Sequence, residues 1–216
     1  MDRLKHPCFC LVITALLVLL PWPNAWLDRG SRAILRPLPP PPPTQDKSVR
    51  ESEAYWIALR YFKSHRSEFR NRKYLTIIDY SKPSTSKRLY LVDTESGAVW
   101  KYLVSHGKNS GWVYARRFSN VSGSFQSSKG FFRTGGMYNG KLGACLQLHG
   151  LQKGVNDNAL SRGIVMHGAH YAGGKAISLN RGRLGRSLGC PALPREVAPQ
   201  VMEKIKNGSL LYIHSG

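Results

Sequence analysis

The spacing of hydrophobic residues changes partway along the chain. From Ser48 to Phe69 they recur at helical intervals, and Tyr55 and Phe62 lie on one apolar stripe. Ser48 and Glu51 have the spacing of a capping box, which places the start of a helix at this point. The pattern predicts a single amphipathic helix over residues 48–69, which packs on the rest of the domain through its apolar stripe.

Beyond this helix the hydrophobic residues form short runs rich in β-branched and aromatic side chains. Gly- and Ser-rich loops separate the runs, and residues 119–130 form the longest loop. A short second helix is predicted from Pro199 to Lys206, ended by Asn207-Gly208. Many short strands with few helices predict a mainly β domain, a β-sandwich or squat barrel with an N-terminal amphipathic helix and a short C-terminal helix. The predicted strands cover residues 74–78, 89–92, 99–104, 146–148, 164–166 and 210–213.

The first 25 residues have the pattern of an export signal. Arg3 and Lys5 precede the apolar run Cys8–Leu20, which is too short to span a bilayer comfortably, and Ala25 is a suitable cleavage site. We expect a secretory signal over residues 1–25, with an uncleaved membrane anchor as the alternative. A stiff Pro-rich linker follows over residues 26–45, and one domain over 46–216. Either reading of the N-terminus places that domain outside the cytosol, in the periplasm or cell envelope.

The charge balance indicates a polyanionic environment or partner. The 216 residues include 32 Lys and Arg but only 12 Asp and Glu, for a net charge of +20. Nucleic acid, anionic lipid and acidic cell-wall polymers would each attract such a surface. No helix-turn-helix, RNA-recognition signature or zinc finger accompanies the charge, and an export signal argues against nucleic acid. Anionic cell-envelope polymers are therefore the expected polyanion.

Cys190 is the candidate nucleophile of the domain. It lies in the loop Gly185–Pro191, where glycines allow a tight turn and a close approach of backbone amides to a substrate. Arg183, Arg186 and Arg195 surround it in sequence, and their positive field is expected to favour the thiolate over the thiol.

The other cysteines have different predicted settings. Cys145 lies in a strand-like apolar segment and is expected to be a buried structural residue. A disulfide between Cys145 and Cys190 would block the nucleophile and is not expected. Cys8 and Cys10 belong to the predicted signal.

A thiol nucleophile needs a base, and three His-Gly pairs offer candidates at His106, His149 and His167. Only His167 ends a strongly β-forming run that leads into the cysteine loop. Neutral imidazole can take the thiol proton, and the carbonyl of Gly168 can orient the ring without any carboxylate. His170 is the alternative partner.

His167-Gly168 followed by Ser187-x-Gly-Cys190 resembles the signature of the L,D-transpeptidase (YkuD-type) catalytic domain family. The resemblance extends from about Tyr55 to the C-terminus and is strongest with the divergent branch of murein L,D-transpeptidase catalytic domain proteins. It is carried by four stretches of the sequence: Ile77–Ser84, Ser105–Gly111, Asn156–Asn158 and Gly182–Pro194.

The resemblance implies an enzyme that acts on peptidoglycan stem peptides. Cys190 would attack the carbonyl of the third stem residue and release the terminal D-alanine. The acyl group would pass to an amine of a neighbouring stem, which gives a 3→3 cross-link, or to water, which is L,D-carboxypeptidase activity. His167 would be the base, the Gly168 carbonyl would orient it, and amides of Leu188, Gly189 and Cys190 would form the oxyanion hole. No metal or other cofactor is required.

The sequence departs from the family signature at two places. Leu188 replaces the histidine that usually precedes the Gly-Cys pair, and Pro191-Ala192 replaces an apolar residue followed by Arg or Asn. A polar contact to substrate is therefore expected from Arg183 or Arg186, whose guanidinium fits a carboxylate. The solvated basic loop is the alternative for both, and Ser187 is the third candidate for substrate binding.

Three other classes of protein fit the sequence less well. Sortases place their histidine much farther upstream of the cysteine, and cell-wall Cys/His endopeptidases have the cysteine first. A non-catalytic envelope module that binds polyanions would account for the charge, but it predicts an inert Cys190 thiol with an ordinary pKa.

Overall fold

The computed structural model describes residues 42–44 and 47–216. The predicted signal over 1–25 and nearly all of the linker over 26–45 lie outside the described residues. Thr44, near the end of the Pro-rich segment, exchanges backbone hydrogen bonds of 2.8 and 3.2 Å with Val99. Among the described residues no helix has both the length and the hydrophobicity to cross a membrane.

Eight strands form one mixed sheet in the order β3-β2-β1-β8-β4-β5-β6-β7. The β1–β8 and β6–β7 pairs are parallel, and the other five pairs are antiparallel. The predicted mainly β fold is confirmed. The strands are β1 Tyr74–Asp79, β2 Leu89–Asp93, β3 Val99–Tyr102, β4 Gly130–Gly140, β5 Gly143–Gly150, β6 Val165–Ala169, β7 Ala192–Pro194 and β8 Leu210–His214.

The N-terminal helical region is divided, so the prediction of one helix over 48–69 was wrong. The chain forms α1 Lys47–Arg50, α2 Glu53–Ser64 and a 3-10 turn over Arg66–Glu68. Ser52 has an extended backbone between the two helices, and its hydroxyl accepts a 3.3 Å bond from the amide of Tyr55. Such an N-cap begins a new helix, because it satisfies an amide that has no partner inside the helix.

Helices cover both faces of the sheet. The apolar side of α2 packs on one core through Ala58 and Phe62, which are fully buried. The other core contains α4 Ala198–Ile205, close to the predicted C-terminal helix. That helix ends before Asn207 and Gly208, whose φ angles of +63° and +102° turn the chain into β8.

The sequence pattern missed three elements, for different reasons. Strand β4 contains glycines and polar residues in place of β-branched runs, and its ladder is interrupted by a bulge between Thr134 and Met137. Strand β7 has three residues and ends at Pro194. Helix α3 Gly174–Leu179 is a six-residue helix that begins at a glycine. Tertiary hydrogen bonding and packing override weak local propensity in each case.

Candidate active site

The Cys190 thiol lies beside the first residue of β6. His167 of β6 pairs with Ala192 of β7 in the parallel ladder, which brings the preceding cysteine loop against the strand. The amide of Val165 lies 3.5 Å from Cys190 Sγ, and Sγ lies 3.7 Å from the carbonyl oxygen of Gly163. Only 8% of Cys190 is exposed. The fold therefore brings the predicted nucleophile next to the strand that carries the predicted base.

His167 has the hydrogen bond that its predicted role requires. Its Nδ1 lies 3.2 Å from the carbonyl oxygen of Gly168, and a carbonyl can only accept, so Nδ1 carries the proton. Nε2 of the neutral ring is then free to accept one. Burial lowers the pKa of His167, and the bond to Gly168 partly offsets that effect. The alternative base, His170, is exposed in a 3-10 turn after β6.

Ser187 holds the cysteine loop together from the inside. Its hydroxyl donates a 2.6 Å bond to the carbonyl oxygen of Cys190 and accepts a 3.1 Å bond from the amide of Gly189. Its backbone joins the neighbouring segment, since its amide donates to His106 and its carbonyl accepts from Lys108. Ser187 is buried. The substrate contact predicted for Ser187 stays a prediction, and in the structure its hydroxyl is bonded within the cysteine loop.

The predicted oxyanion-hole residues differ in whether their backbone amides are already hydrogen-bonded. The Gly189 amide is already bonded to Ser187, and the Cys190 amide interacts with its own thiol, whereas the Leu188 amide has no hydrogen-bond partner among the described residues. Leu188 is 61% exposed, so the position where the family signature has a histidine faces solvent. The Leu188 amide can therefore receive a developing negative charge.

Gly189 lies against the long loop that the sequence indicated over 119–130. Its φ is +130°, and a Cβ at this position would lie 2.9 Å from the carbonyl oxygen of Gln126. Ser127 joins this loop to the site, because its hydroxyl donates to the Gly189 carbonyl at 3.0 Å and accepts from the Gly107 amide at 2.9 Å. The loop thus forms the back of the cysteine turn.

A model of the L,D-transpeptidase catalytic domain family matches residues 46–214 of the chain. The chain belongs to this family. The match covers the whole sheet and both predicted catalytic side chains, in agreement with the resemblance of the sequence. A search of curated proteins found no match.

Solved structures similar to this L,D-transpeptidase domain have low sequence identity to it. An L,D-transpeptidase from Mycobacterium smegmatis is 13% identical over 66% of this chain and 58% of that chain, with a TM-score of 0.41. L,D-transpeptidase 3 from Mycobacterium tuberculosis, in complex with a faropenem-derived adduct, is 11% identical over 66% and 60%, with a TM-score of 0.42. The helical cell shape determining protein Pgp2 from Campylobacter jejuni is 13% identical over 75% and 56%, with a TM-score of 0.43. The chain thus spans about three-fifths of the length of these solved chains.

Arg162 is the residue of this L,D-transpeptidase domain that sequence reasoning missed. Its guanidinium donates to four residues of the 119–130 loop: the carbonyl oxygens of Ser119 and Gln126, and the hydroxyls of Ser124 and Ser128. The strand that contacts the Cys190 thiol, β6, begins three residues farther along the chain, at Val165. Arg162 therefore organises the loop behind Gly189. Only its position immediately before Gly163-Ile164-Val165 could have indicated this role.

The electrostatic environment of Cys190 differs from the expectation. Burial raises the pKa of the thiol, and the amide of Val165 and the charge of Arg162 only partly oppose that effect. Arg162 is the arginine among the main influences on the thiol, whereas the expected contribution of Arg183, Arg186 and Arg195 is not among them. Both shifts favour the neutral forms, a thiol at Cys190 and an imidazole at His167.

Arg183 and Arg186 stack on an exposed tryptophan of the same domain. Their guanidinium carbons lie 3.7 and 4.7 Å from the ring centroid of Trp112, which is 52% exposed. Arg186 also donates to the carbonyl oxygens of Lys108 and Gly111, at 2.9 and 3.0 Å. Both arginines are thus held at the surface, and their remaining donors stay open to an anionic ligand.

Cys145 is buried, as the sequence predicted. It pairs with His167 across the β5–β6 ladder, so the two side chains lie on one face of the sheet. Cys145 and Cys190 are both free and pack with Val165 in one small buried cluster, so no disulfide joins them in the structure.

Proposed function

We propose that this chain is an exported, cysteine-dependent L,D-transpeptidase that acts on peptidoglycan stem peptides. The main support for the proposal is that two contacts occur together on β6. The Cys190 thiol lies against the Val165 amide, and two residues farther along the strand His167 is held by Gly168 in the tautomer of a base. Family membership supplies the reaction class, because the model that matches residues 46–214 is that of an L,D-transpeptidase catalytic domain.

The first half of the reaction forms a thioester. As the substrate carbonyl approaches, the Cys190 proton moves to Nε2 of His167, and the thiolate sulfur attacks the carbonyl carbon. The amide of Leu188 stabilises the oxyanion. When the tetrahedral intermediate collapses, the C–N bond to D-alanine breaks, and His167 returns its proton to the leaving amine.

The second half uses the same groups in reverse. An amine of a second stem, or water, loses a proton to His167 and attacks the thioester carbon. The C–S bond breaks, and His167 protonates the departing Cys190 sulfur. An amine acceptor gives the 3→3 cross-link, and water gives the L,D-carboxypeptidase product.

The first test is the mass of the intact protein after incubation with a carbapenem. We expect a covalent adduct on the wild type and on Cys145→Ala, and none on Cys190→Ala. Cys145→Ala is the matched control, because it removes the other buried thiol of the described residues. Assay of a tetrapeptide stem would then identify D-alanine release and the acyl acceptor. No adduct on folded, reduced wild type would contradict the proposal.

A second candidate is a non-catalytic basic module that binds anionic cell-envelope polymers. The charge balance favours it, since the chain carries a net charge of +20. An absent adduct together with salt-sensitive binding to isolated cell walls would select this candidate.

A further inference from the structure

A basic cavity of about 520 Å³ lies between the helical N-terminal region and strands β4 and β5. We call it the β4–β5 cavity. It is separate from the cysteine loop, and none of the groups that act in the proposed reaction lines it. Its lining consists of Glu68, Arg70, Arg133, Thr134, Gly135, Gly136, His149, Asn207 and Gly208.

The bulge in β4 creates the space for this cavity. Gly135 and Gly136 lie between the two paired segments of the strand, where the register against β5 shifts. A Cβ on Gly135 would lie 2.7 Å from Nε2 of His149 and 2.8 Å from Cβ of Gln147, so the glycine lets both side chains lie over the backbone. A Cβ on Gly136 would meet no atom within 4 Å, so the space next to this glycine is empty and forms part of the cavity.

The basic side chains of the β4–β5 cavity have no partner among the described residues. The guanidinium groups of Arg70 and Arg133 and the imidazole of His149 form no hydrogen bond or ion pair with any described residue. By contrast, the guanidinium of Arg162 is bonded to four residues of one loop. Glu68 supplies one carboxylate to the lining, so the two arginines leave an excess of positive charge. Such a set of free donors around an open volume is suited to a carboxylate or a phosphate.

The β4–β5 cavity lies on the face of the sheet that carries the reactive thiol. Alternate residues of a strand share a face, so His149 and Gln147 lie on the same side of β5 as Cys145. Gln147 contacts the Gly135 position on one side and pairs with Val165 on the other. The Val165 amide in turn contacts the Cys190 thiol. One row therefore leads from the cavity across the sheet to the nucleophile.

We propose that the β4–β5 cavity binds an anionic group of the peptidoglycan substrate, a carboxylate or a phosphate, on the same face of the sheet as Cys190. Arg70 and Arg133 provide the charge-assisted hydrogen bonds, and His149 adds a third donor or acceptor. The inference rests on the proposed function for the identity of the substrate, but not for the binding of the anion.

The test uses the double variant Arg70→Gln/Arg133→Gln. The control is Lys175→Gln, which removes an exposed charge on α3 outside the cavity. Inorganic phosphate and acetate are titrated into the purified protein, and the ring protons of His149 are followed by NMR. We expect a saturable shift in the wild type and in Lys175→Gln, and its loss in the double variant. A larger response to phosphate than to acetate identifies phosphate as the ligand class, and a larger response to acetate identifies carboxylate.

Kinetics on a disaccharide-tetrapeptide then test the substrate role. We expect KM to rise about tenfold in the double variant, as for one lost charge-assisted hydrogen bond, while kcat stays within twofold and carbapenem acylation of Cys190 is unchanged. An unchanged KM, or no His149 shift in the wild type, overturns the inference and leaves the proposed function intact. If the wild type forms no Cys190 adduct, the proposed function fails, and the anion titration still decides whether the cavity is a binding site.

Discussion

Nη2 of Arg88 lies 2.8 Å from Nδ1 of His106, and both side chains are buried. Arg88 also donates to the carbonyl oxygens of Val104 and Lys82. No salt bridge joins its guanidinium to a carboxylate among the described residues. Burial lowers the pKa of Arg88 to about 10, so it remains charged at neutral pH. Because the carbonyl of His106 accepts from the Ser187 amide, this buried pair supports the segment that holds the cysteine loop.

Replacement of Arg88 should destabilise the fold strongly. Arg88→Met leaves His106 Nδ1 and two buried carbonyl groups without donors, and we expect a loss of about 3 kcal/mol or more in the free energy of unfolding. Urea denaturation measures it. Lys87→Ala, the exposed neighbour, is the control and should stay within about 0.5 kcal/mol of the wild type. A loss as small as that of the control would show that the buried network contributes little.

The stability of the domain should fall in acid because of His106. Burial, and then the charge of Arg88, lowers the pKa of His106 from 6.5 to about 3. Between these values the unfolded chain binds a proton that the folded protein does not, so stability falls as the pH decreases. This one group contributes up to about 1.4 kcal/mol per pH unit. Thermal or urea unfolding from pH 7 to pH 4 should show a shallower decline for His106→Gln than for the wild type, and parallel curves would contradict the assignment.

Replacement of Arg162 should impair the reaction at Cys190. Arg162→Gln loses most of the donors that hold the 119–130 loop behind Gly189, and it removes the cation that acts on the thiol. We expect acylation by a carbapenem to slow by about 10- to 100-fold, somewhat less than the rate loss caused by removal of one oxyanion-hole donor. The pKa of the Cys190 thiol should rise further.

The control and the conservative variant separate positioning by Arg162 from a general loss of folding. Arg116→Gln removes an exposed charge and should behave as the wild type. Arg162→Lys should recover the thiol pKa, since it restores the charge, but only part of the rate, because it lacks the fork of donors. Identical pH profiles in all variants would rule out a role of Arg162 at the thiol.

The resting thiol should react slowly with alkylating agents at neutral pH. Burial raises the pKa of Cys190 and lowers that of His167, so neither group is charged in the free enzyme. In the Cys145→Ala background, the rate of alkylation by iodoacetamide should rise with pH through and beyond 8.5, the ordinary thiol pKa. A rate that is already maximal and independent of pH near 6 would indicate a preformed thiolate–imidazolium pair and contradict this prediction.

Gly107 should tolerate no side chain. A Cβ there would lie 2.6 Å from the carbonyl oxygen of Phe125 and 2.9 Å from the amide nitrogen of Ser127, both of them backbone atoms. Gly107→Ala should therefore displace the 119–130 loop, costing about 1–3 kcal/mol as for overpacking and lowering carbapenem acylation at least tenfold. Gly174→Ala at the start of α3, where a Cβ meets no atom within 4 Å, is the control. Equal activity of the two variants would show that the loop can move aside.

Local signals predicted the parts of the site that lie close together in sequence. The β-forming run that ends at His167 and the glycines around Cys190 indicated the base and the nucleophile, because strand ends and tight turns are local features. Arg183, Arg186 and Arg195 illustrate the limit of this reasoning. Their proximity in sequence suggested a field on the thiol, whereas the fold directs the first two to Trp112 and leaves Arg162, from another loop, to act on Cys190.

The sequence by itself determined the mainly β class, the family, and the thiol and imidazole of the candidate site. Periodicity and short motifs involve residues that are close together in sequence, so they can be recognised without knowledge of the fold. Only the tertiary structure decided that β4 joins the sheet through a bulge, that Arg162 and Ser127 support the cysteine turn, and that Arg88 is buried against His106. Those relationships depend on burial and on hydrogen bonds between segments distant in sequence, and no local pattern encodes which distant partner a polar side chain will find.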